Sequence, residues 1–322
     1  MTEQRVLITG AAGFIGSHVS VALMRKGVRV VGVDNFNDYY APLRKRQNLR
    51  EVAAEAPGGA FELVEGDLRD RELLRRVFSE HRFDAVVHLA AMAGVRASVE
   101  RPFLYYDVNV TATLGLLELA REFGNPNFVF ASTSSAYGQS TAMPWVETAC
   151  ADRPLAPYPA SKRSAELIGH AYHHLYGLDF TALRFFTVYG PRGRPDMMNY
   201  KIIDSMRRGT LIELYDGGRL KRDWTYVGDI VSGVCAATER RLGYEIINLG
   251  RGEPVLVSDF VAALEQCSGK AANTVSSPMP KADVEATFAD IGKARRLLGY
   301  DPKVSVAEGA RRSYEWFVAS VG

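Results

Sequence analysis

Cysteine is scarce: the 322 residues hold three, Cys150, Cys235 and Cys267. They are odd in number and far apart. They supply neither a disulfide framework nor a zinc-ligand set, and they fit a reducing compartment. Long hydrophobic runs are missing too. No stretch approaches the ~18 apolar residues of a membrane span. No charged segment followed by an apolar one precedes the first strand-like run, so a secretory signal is not expected and the cytoplasm is the default location. Charge of one sign is also missing. The 39 lysines and arginines face 37 acids, a net charge of +2. Without a basic stripe, the usual footprint of a nucleic-acid partner is absent. The clusters Arg44-Lys45-Arg46 and Arg207-Arg208 read as solvated helix faces.

What is present is an ordinary globular composition, 47% hydrophobic and 24% charged. A chain of this length can bury one large α/β core with a smaller lobe attached. Val6 to Thr9 is a short β-rich run, and GAAGFIG follows at Gly10–Gly16. An apolar-periodic segment from Phe14 to Met24 ends in Arg25, Lys26 and Gly27, which suit a helix C-terminus. Val28 to Val33 is a second strand, ending in Asp34. Gly10 permits the tight turn, Gly13 lets the backbone approach a pyrophosphate, and Gly16 lets helix pack on sheet. Phosphates then sit at a helix N-terminus, where free N–H groups and the helix dipole favour anions. Asp34 falls where an acid binds adenosine ribose hydroxyls. Its carboxylate repels a 2′-phosphate, so NAD is expected over NADP.

The alternation continues. Strands are expected at Phe61–Val64, Ala85–Leu89, Asn127–Thr133 and Phe180–Phe186, with helices at Arg71–Glu80 and Phe103–Phe123. This predicts a doubly wound, Rossmann-type parallel sheet with helices on both faces. Ligands in such sheets bind beyond the carboxyl ends of the strands, where Asp67, Ala90, Ala91 and Thr133 fall. From Gly190 to Asp196 the chain is too rich in Pro and Gly for regular structure. The expected division is 1–189, joined by 227–249, for the dinucleotide, and 190–226 with 250–322 for a smaller α/β substrate lobe.

One stretch carries the chemistry, Asn127 to Lys162. An apolar strand ends in the hydroxyls Ser132, Thr133, Ser134 and Ser135. Tyr158 and Lys162 follow, spaced to stack on one helix face. An ordinary tyrosine has a pKa of ~10. A fixed ammonium beside it lowers that by roughly 1–3 units and makes a usable base. Further along the same helix, His170, His173 and His174 share a face without a completing carboxylate or cysteine, so a solvated or dimer-facing helix is expected there. His18 and His88 read as satisfied core histidines.

Together these motifs resemble the extended short-chain dehydrogenase/reductase superfamily, in its nucleotide-sugar epimerase/dehydratase branch. The resemblance spans the chain and rests on GAAGFIG, Asp34-Asn35, Gly66-Asp67-Leu68, Leu89-Ala90-Ala91, Asn109, Ser132-Thr133, YPASK and the Arg222–Val227 run. Within the branch, DNFNDYY at Asp34–Tyr40, RFFTVYG at Arg184–Gly190 and GPRGRPDM at Gly190–Met197 resemble UDP-glucuronate 4-epimerases. The resemblance implies NAD held by Gly10, Gly13, Phe14, Ile15, Gly16, Asp34, Asn35, Asp67, Leu68, Leu89, Ala90, Ala91, Asn109, Ser132, Tyr158 and Lys162. It implies a UDP-uronate against Thr133, Ser134, Ser135, Tyr158, Thr187, Arg194, Tyr215, Arg222 and Asp283. Tyr158 would deprotonate the sugar 4-hydroxyl while C4 gives its hydride to NAD. Lys162 would hold the ribose and Thr133 the reacting oxygen. The 4-keto sugar would then turn over and be reduced on its other face.

The 4,6-dehydratases of this branch carry Asp-Glu directly after the threonine, and UDP-glucuronate decarboxylases typically carry Glu at the position of Ser135. Serines at 134 and 135 favour epimerisation over both. A UDP-glucose/UDP-galactose 4-epimerase and a decarboxylase remain the alternatives. Relatives usually place Gln or Arg where this chain has Pro280, and Lys281 is the expected substitute. The resemblance also implies a homodimer joined through the Phe103–Phe123 and Tyr158–Tyr176 helices.

Overall fold

The computed structural model describes residues 4–56, 58–139 and 142–321. Among these, twelve strands occur in chain order: β1 (Arg5–Thr9), β2 (Arg29–Asp34), β3 (Phe61–Glu65), β4 (Ala85–His88), β5 (Asn127–Thr133), β6 (Phe180–Phe185), β7 (Thr187–Tyr189), β8 (Leu211–Tyr215), β9 (Lys221–Tyr226), β10 (Tyr244–Leu249), β11 (Pro254–Leu256) and β12 (Asn273–Ser277). Seven form one parallel sheet in the order β3-β2-β1-β4-β5-β6-β10. The expected doubly wound α/β sheet is what forms. β1, β4, β5 and β6 are buried almost throughout, as strands covered on both faces must be. β3 closes one edge, with Glu62, Leu63 and Glu65 exposed.

The order of strands reverses between β1 and β4, which opens a crevice at their carboxyl ends. Helix α1 (Phe14–Arg25) starts at that crevice and runs back along the sheet to the parallel β2, and α2 (Pro42–Glu55) follows β2 with proline in its first turn. Beyond β6 the chain builds two small sheets, β11-β9-β7 and β12-β8. Their core is aromatic: Trp224 stacks on Phe260 at 4.0 Å between ring centroids, and Tyr189 packs edge-on to both. Between β9 and β11 the chain returns to the large sheet, where β10 adds beside β6.

The expected single helix from Phe103 to Phe123 is interrupted. Helical residues run from Pro102 to Glu122, with a π turn at Asp107–Thr111. The extra residue in that turn points Asn109 inward. There its amide donates to the Met92 carbonyl (2.9 Å) and Ser161 Oγ (3.0 Å) and accepts from Met92 N (2.8 Å). A π turn of this kind is a recurrent device at functional sites. His88 braces the same region between Thr9 Oγ1 (2.7 Å) and Thr113 Oγ1 (2.9 Å), fully buried. No described helix is long and apolar enough to cross a membrane.

Candidate active site

One cleft runs along the carboxyl ends of the large sheet. Its walls are the turn after β1 (Gly10, Gly13, Phe14, Ile15, Gly16), the end of β2 (Asp34, Asn35), Gly66-Asp67-Leu68 after β3, and Leu89-Ala90-Ala91 after β4. Ser132, Tyr158, Lys162, Phe185 and Arg194 complete it. Gly10 has φ +71°, and a Cβ there would lie 2.8 Å from Ala90 N. A Cβ on Gly16 would lie 2.1 Å from the Gly10 carbonyl oxygen. Both positions therefore exclude any side chain. Gly13 caps α1 without a side-chain acceptor, so the first N–H groups of the helix are free for an anion.

Asp34 is buried at the far end. Its carboxylate accepts from Ala12 N (3.1 Å) and Phe36 N (2.9 Å), and burial raises its pKa against the pull of Lys45. Lys45 lies 3.9 Å away and donates to Asn37 Oδ1 at 3.0 Å. Asp67 is held by Arg69 and Asn35, which keep its carboxyl well below the usual range. The glycine cradle, the uncapped helix and the ribose-side acid fit a dinucleotide. Asn109 is the exception among the expected cofactor residues. It is 1% exposed and fully engaged with Met92 and Ser161, so it shapes the cleft wall rather than facing the cleft.

Tyr158 stands in the first turn of the Pro157–Tyr176 helix, and Lys162 follows one turn later. The Tyr158 hydroxyl hydrogen-bonds the Thr133 hydroxyl. Burial pushes the phenol above its ordinary pKa, opposed by Thr133 and by the charge of Arg194. The expected lowering by Lys162 does not dominate here. Lys162 is itself desolvated, and burial brings its ammonium down to about 7 against the opposing charge of Glu166. Glu166 is buried and accepts from Ser132 Oγ (2.5 Å), Arg184 Nε (2.9 Å) and Nη2 (2.8 Å), and Arg163 Nη1 (2.9 Å).

The remaining expected residues line adjoining recesses. Ser134, Ser135, Thr187, Arg222 and Asp283 share one, and Tyr215 joins Thr187, Arg222 and Asp283 in the next. Arg222 forms an ion pair with Asp283 at 2.7 Å. Its neighbour Asp223 instead accepts backbone N–H groups of Arg251, Gly252 and Ala289. Lys281 is exposed and off the recess walls. Arg96 and Lys201 line the recess around Tyr215, and the Arg96 guanidinium lies 4.8 Å from the centre of the Tyr215 ring. Arg194 stands between the two regions. It is held by Asp196 through two bonds (2.9 and 3.1 Å) and lies 5.6 Å from the centre of the Tyr39 ring.

A sequence profile described as GDP-mannose 4,6 dehydratase matches residues 7–313. The chain belongs to that family. It is a member of the extended short-chain dehydrogenase/reductases, as its motifs lead one to expect. It is 45% identical over 312 residues to a UDP-glucuronate 4-epimerase of Thermodesulfobacterium geofontis, covering 96% of this chain and 95% of the relative. It is 42% identical to UDP-glucuronate 4-epimerase 4 of Arabidopsis thaliana, covering 98% and 75%. The fold matches a UDP-glucuronic acid 4-epimerase of Bacillus cereus, solved with UDP-glucuronic acid and NAD, at a TM-score of 0.91 and 34% identity over 98% and 99% of the two chains. Directly after Thr133 this chain carries Ser134 and Ser135.

Arg96 is one of several site residues with no signal in the sequence, and three others are instructive. Lys45 sits in a basic run that reads as solvated, yet it is 5% exposed and lines the cofactor cleft. Tyr39 lines both the cofactor cleft and the recess around Tyr215. Glu166 carries one signal that could have found it. Arg184 stands in an otherwise apolar strand, and a buried arginine demands a buried acid.

Proposed function

We propose that this chain interconverts UDP-glucuronate and UDP-galacturonate by inverting C4 through a 4-keto sugar, without net redox change or decarboxylation. The carrying observation is the meeting of Tyr158 and Arg194 in one cleft, beside hydroxyls rather than carboxylates at positions 134 and 135. Bound NAD supplies the hydride acceptor and donor that inversion needs. Tyr158, aided by Thr133, removes the proton of the 4-hydroxyl and returns it after the sugar turns. Lys162 holds the nicotinamide ribose and supports the phenolate. Gly10, Gly13 and Gly16 hold the pyrophosphate of NAD, and Asp34 holds its ribose.

On the substrate side, Ser134, Ser135, Thr187 and Arg194 hold the sugar carboxylate. Arg222, paired with Asp283, meets a phosphate, and Tyr215 with Arg96 flanks the uracil. The carboxylate contacts matter because a 4-keto uronate is a β-keto acid. Its C5–C6 bond breaks readily when aligned with the carbonyl, sending the electron pair into an enolate and releasing carbon dioxide. A carboxylate held near the ring plane keeps that bond misaligned. By the same reading the 1–189 and 227–249 segments carry NAD, and 190–226 with 250–322 carry the UDP-sugar. The exposed Phe103, Leu167 and Leu175 fit a homodimer, and the free Cys150, Cys235 and Cys267 fit a reducing, cytoplasmic location. Incubation with UDP-glucuronate, followed by NMR, tests the activity. UDP-galacturonate is expected. UDP-pentose as the main product, or turnover of UDP-glucose alone, would overturn it.

A further inference from the structure

We infer that Arg192 is a positioning residue, which pins the Gly190–Asp196 turn to α2 and thereby holds Arg194 at the reacting centre. The inference rests on the reading that Arg194 grips the substrate carboxylate. Arg192 is buried, 6% exposed, and has φ +61°, a left-handed backbone that a non-glycine residue adopts only when its surroundings enforce it. Its Nε donates to Glu51 at 2.6 Å and its Nη2 reaches Glu55 at 3.5 Å, both acids on α2.

The rest of the turn is tethered as well. The Pro191 carbonyl accepts from His18 Nε2 on α1 (2.9 Å), and the Gly193 carbonyl from Arg44 on α2 (3.4 Å). The Gly190 carbonyl accepts from the Tyr200 hydroxyl (2.5 Å), and a Cβ on Gly193 would lie 2.4 Å from the Tyr200 ring. The residues on both sides of Arg192 are therefore fixed from three elements. The next residue along the chain is Arg194. Its own carbonyl accepts from Met197 N (3.1 Å), and Asp196 forks its guanidinium. The turn is set before any sugar arrives. Its anchors also sit on the helices that wall the cofactor cleft, with Gly16 on α1 and Lys45 on α2. Small displacements of a positioning group degrade function steeply, so loosening the anchor should act on Arg194 without touching Tyr158.

The test uses the NAD-loaded enzyme in three forms: Arg192→Gly, which accepts the same φ; the double variant Glu51→Gln/Glu55→Gln, which leaves the turn's own sequence intact; and Arg194→Ala as reference. KM and kcat for UDP-glucuronate, bound NAD, and the UDP-pentose share of the products are measured. Arg192→Gly is expected to raise KM by about tenfold, the size of one weakened charged contact, while kcat moves less. UDP-pentose should appear, with bound NAD unchanged. The double variant should shift both readouts in the same direction by less. Unaltered KM and products in Arg192→Gly, with both altered in Arg194→Ala, overturn the role of Arg192 alone. Neither variant altered overturns the carboxylate reading with it. If Arg192→Gly does not fold, the double variant decides in the same two ways.

Discussion

The Lys162 ammonium lies 4.1 Å from the centre of the Phe130 ring, one helical turn before the buried carboxylate of Glu166. Burial brings its pKa to about 7 in the cofactor-free protein. An unfolded lysine titrates near ~10.4. Between those values the unfolded chain binds more protons, so stability rises with pH there. Below about 7 both states hold the proton and the burial cost is full. Lys162→Met removes that cost. In thermal melts without NAD, its gain over the parent should be largest near pH 6 and shrink toward pH 9, by up to ~1.4 kcal/mol per pH unit. A gain independent of pH would show that this lysine does not enter the fold as a titrating group.

Tyr158→Phe keeps the ring, including its edge-on contact with Tyr105 at 6.1 Å, and removes only the hydroxyl. Its kcat should fall by about 10²- to 10⁴-fold, with the content of bound NAD unchanged. Retained turnover would move the proton transfer to another group.

Glu166 and Arg184 form a buried pair, 0% and 1% exposed in their side chains. Glu166→Ala strands a buried guanidinium and should lower unfolding stability by ~3–5 kcal/mol in denaturant titrations. Replacing both residues with methionine should recover most of that loss. A single variant as stable as the parent would deny the pair its structural role.

Lys45 lies 3.9 Å from Asp34, so the two charges should bias the cofactor choice in opposite senses. Asp34→Ser removes the charge that repels a 2′-phosphate and leaves the Lys45 ammonium beside the vacated position. The NADP-to-NAD affinity ratio should rise by about 10- to 100-fold, the effect of one charge-assisted contact. Asp34→Ser combined with Lys45→Met should lose that gain. Competition binding of the two dinucleotides measures both.

Phe103 is 90% exposed at the start of the Pro102–Glu122 helical run, and Leu167 and Leu175 are exposed on the Pro157–Tyr176 helix. Phe103→Asp should convert a sedimenting dimer into monomer while near-ultraviolet circular dichroism stays unchanged. A parent protein that sediments as monomer would refute the dimer outright.

The parts of this fold legible in the sequence are those specified locally. The Gly10–Gly16 turn, Asp34 at the end of β2, and the Tyr158–Lys162 spacing each follow from backbone sterics or helix geometry within a few residues. Lys45 is not legible, because a charged residue on a helix is buried only when the second strand's loop folds over it, as Asn37 and Tyr40 do. The π turn at Asp107–Thr111 is equally hidden. It depends on Asn109 meeting Met92 and Ser161, which lie 17 and 52 residues away in the chain. The Arg192 anchor needs α2, whose acids at 51 and 55 look like ordinary surface charge until the turn docks there.

β10 reaches the large sheet only after the chain has built β7, β8 and β9 elsewhere. The large and small sheets thus alternate along the chain, and no single cut yields two intact pieces. A fragment ending at residue 189 would expose the six-residue β6 as an unpaired edge, a template for aggregation. The large sheet and the small ones therefore have to be made and folded as one chain.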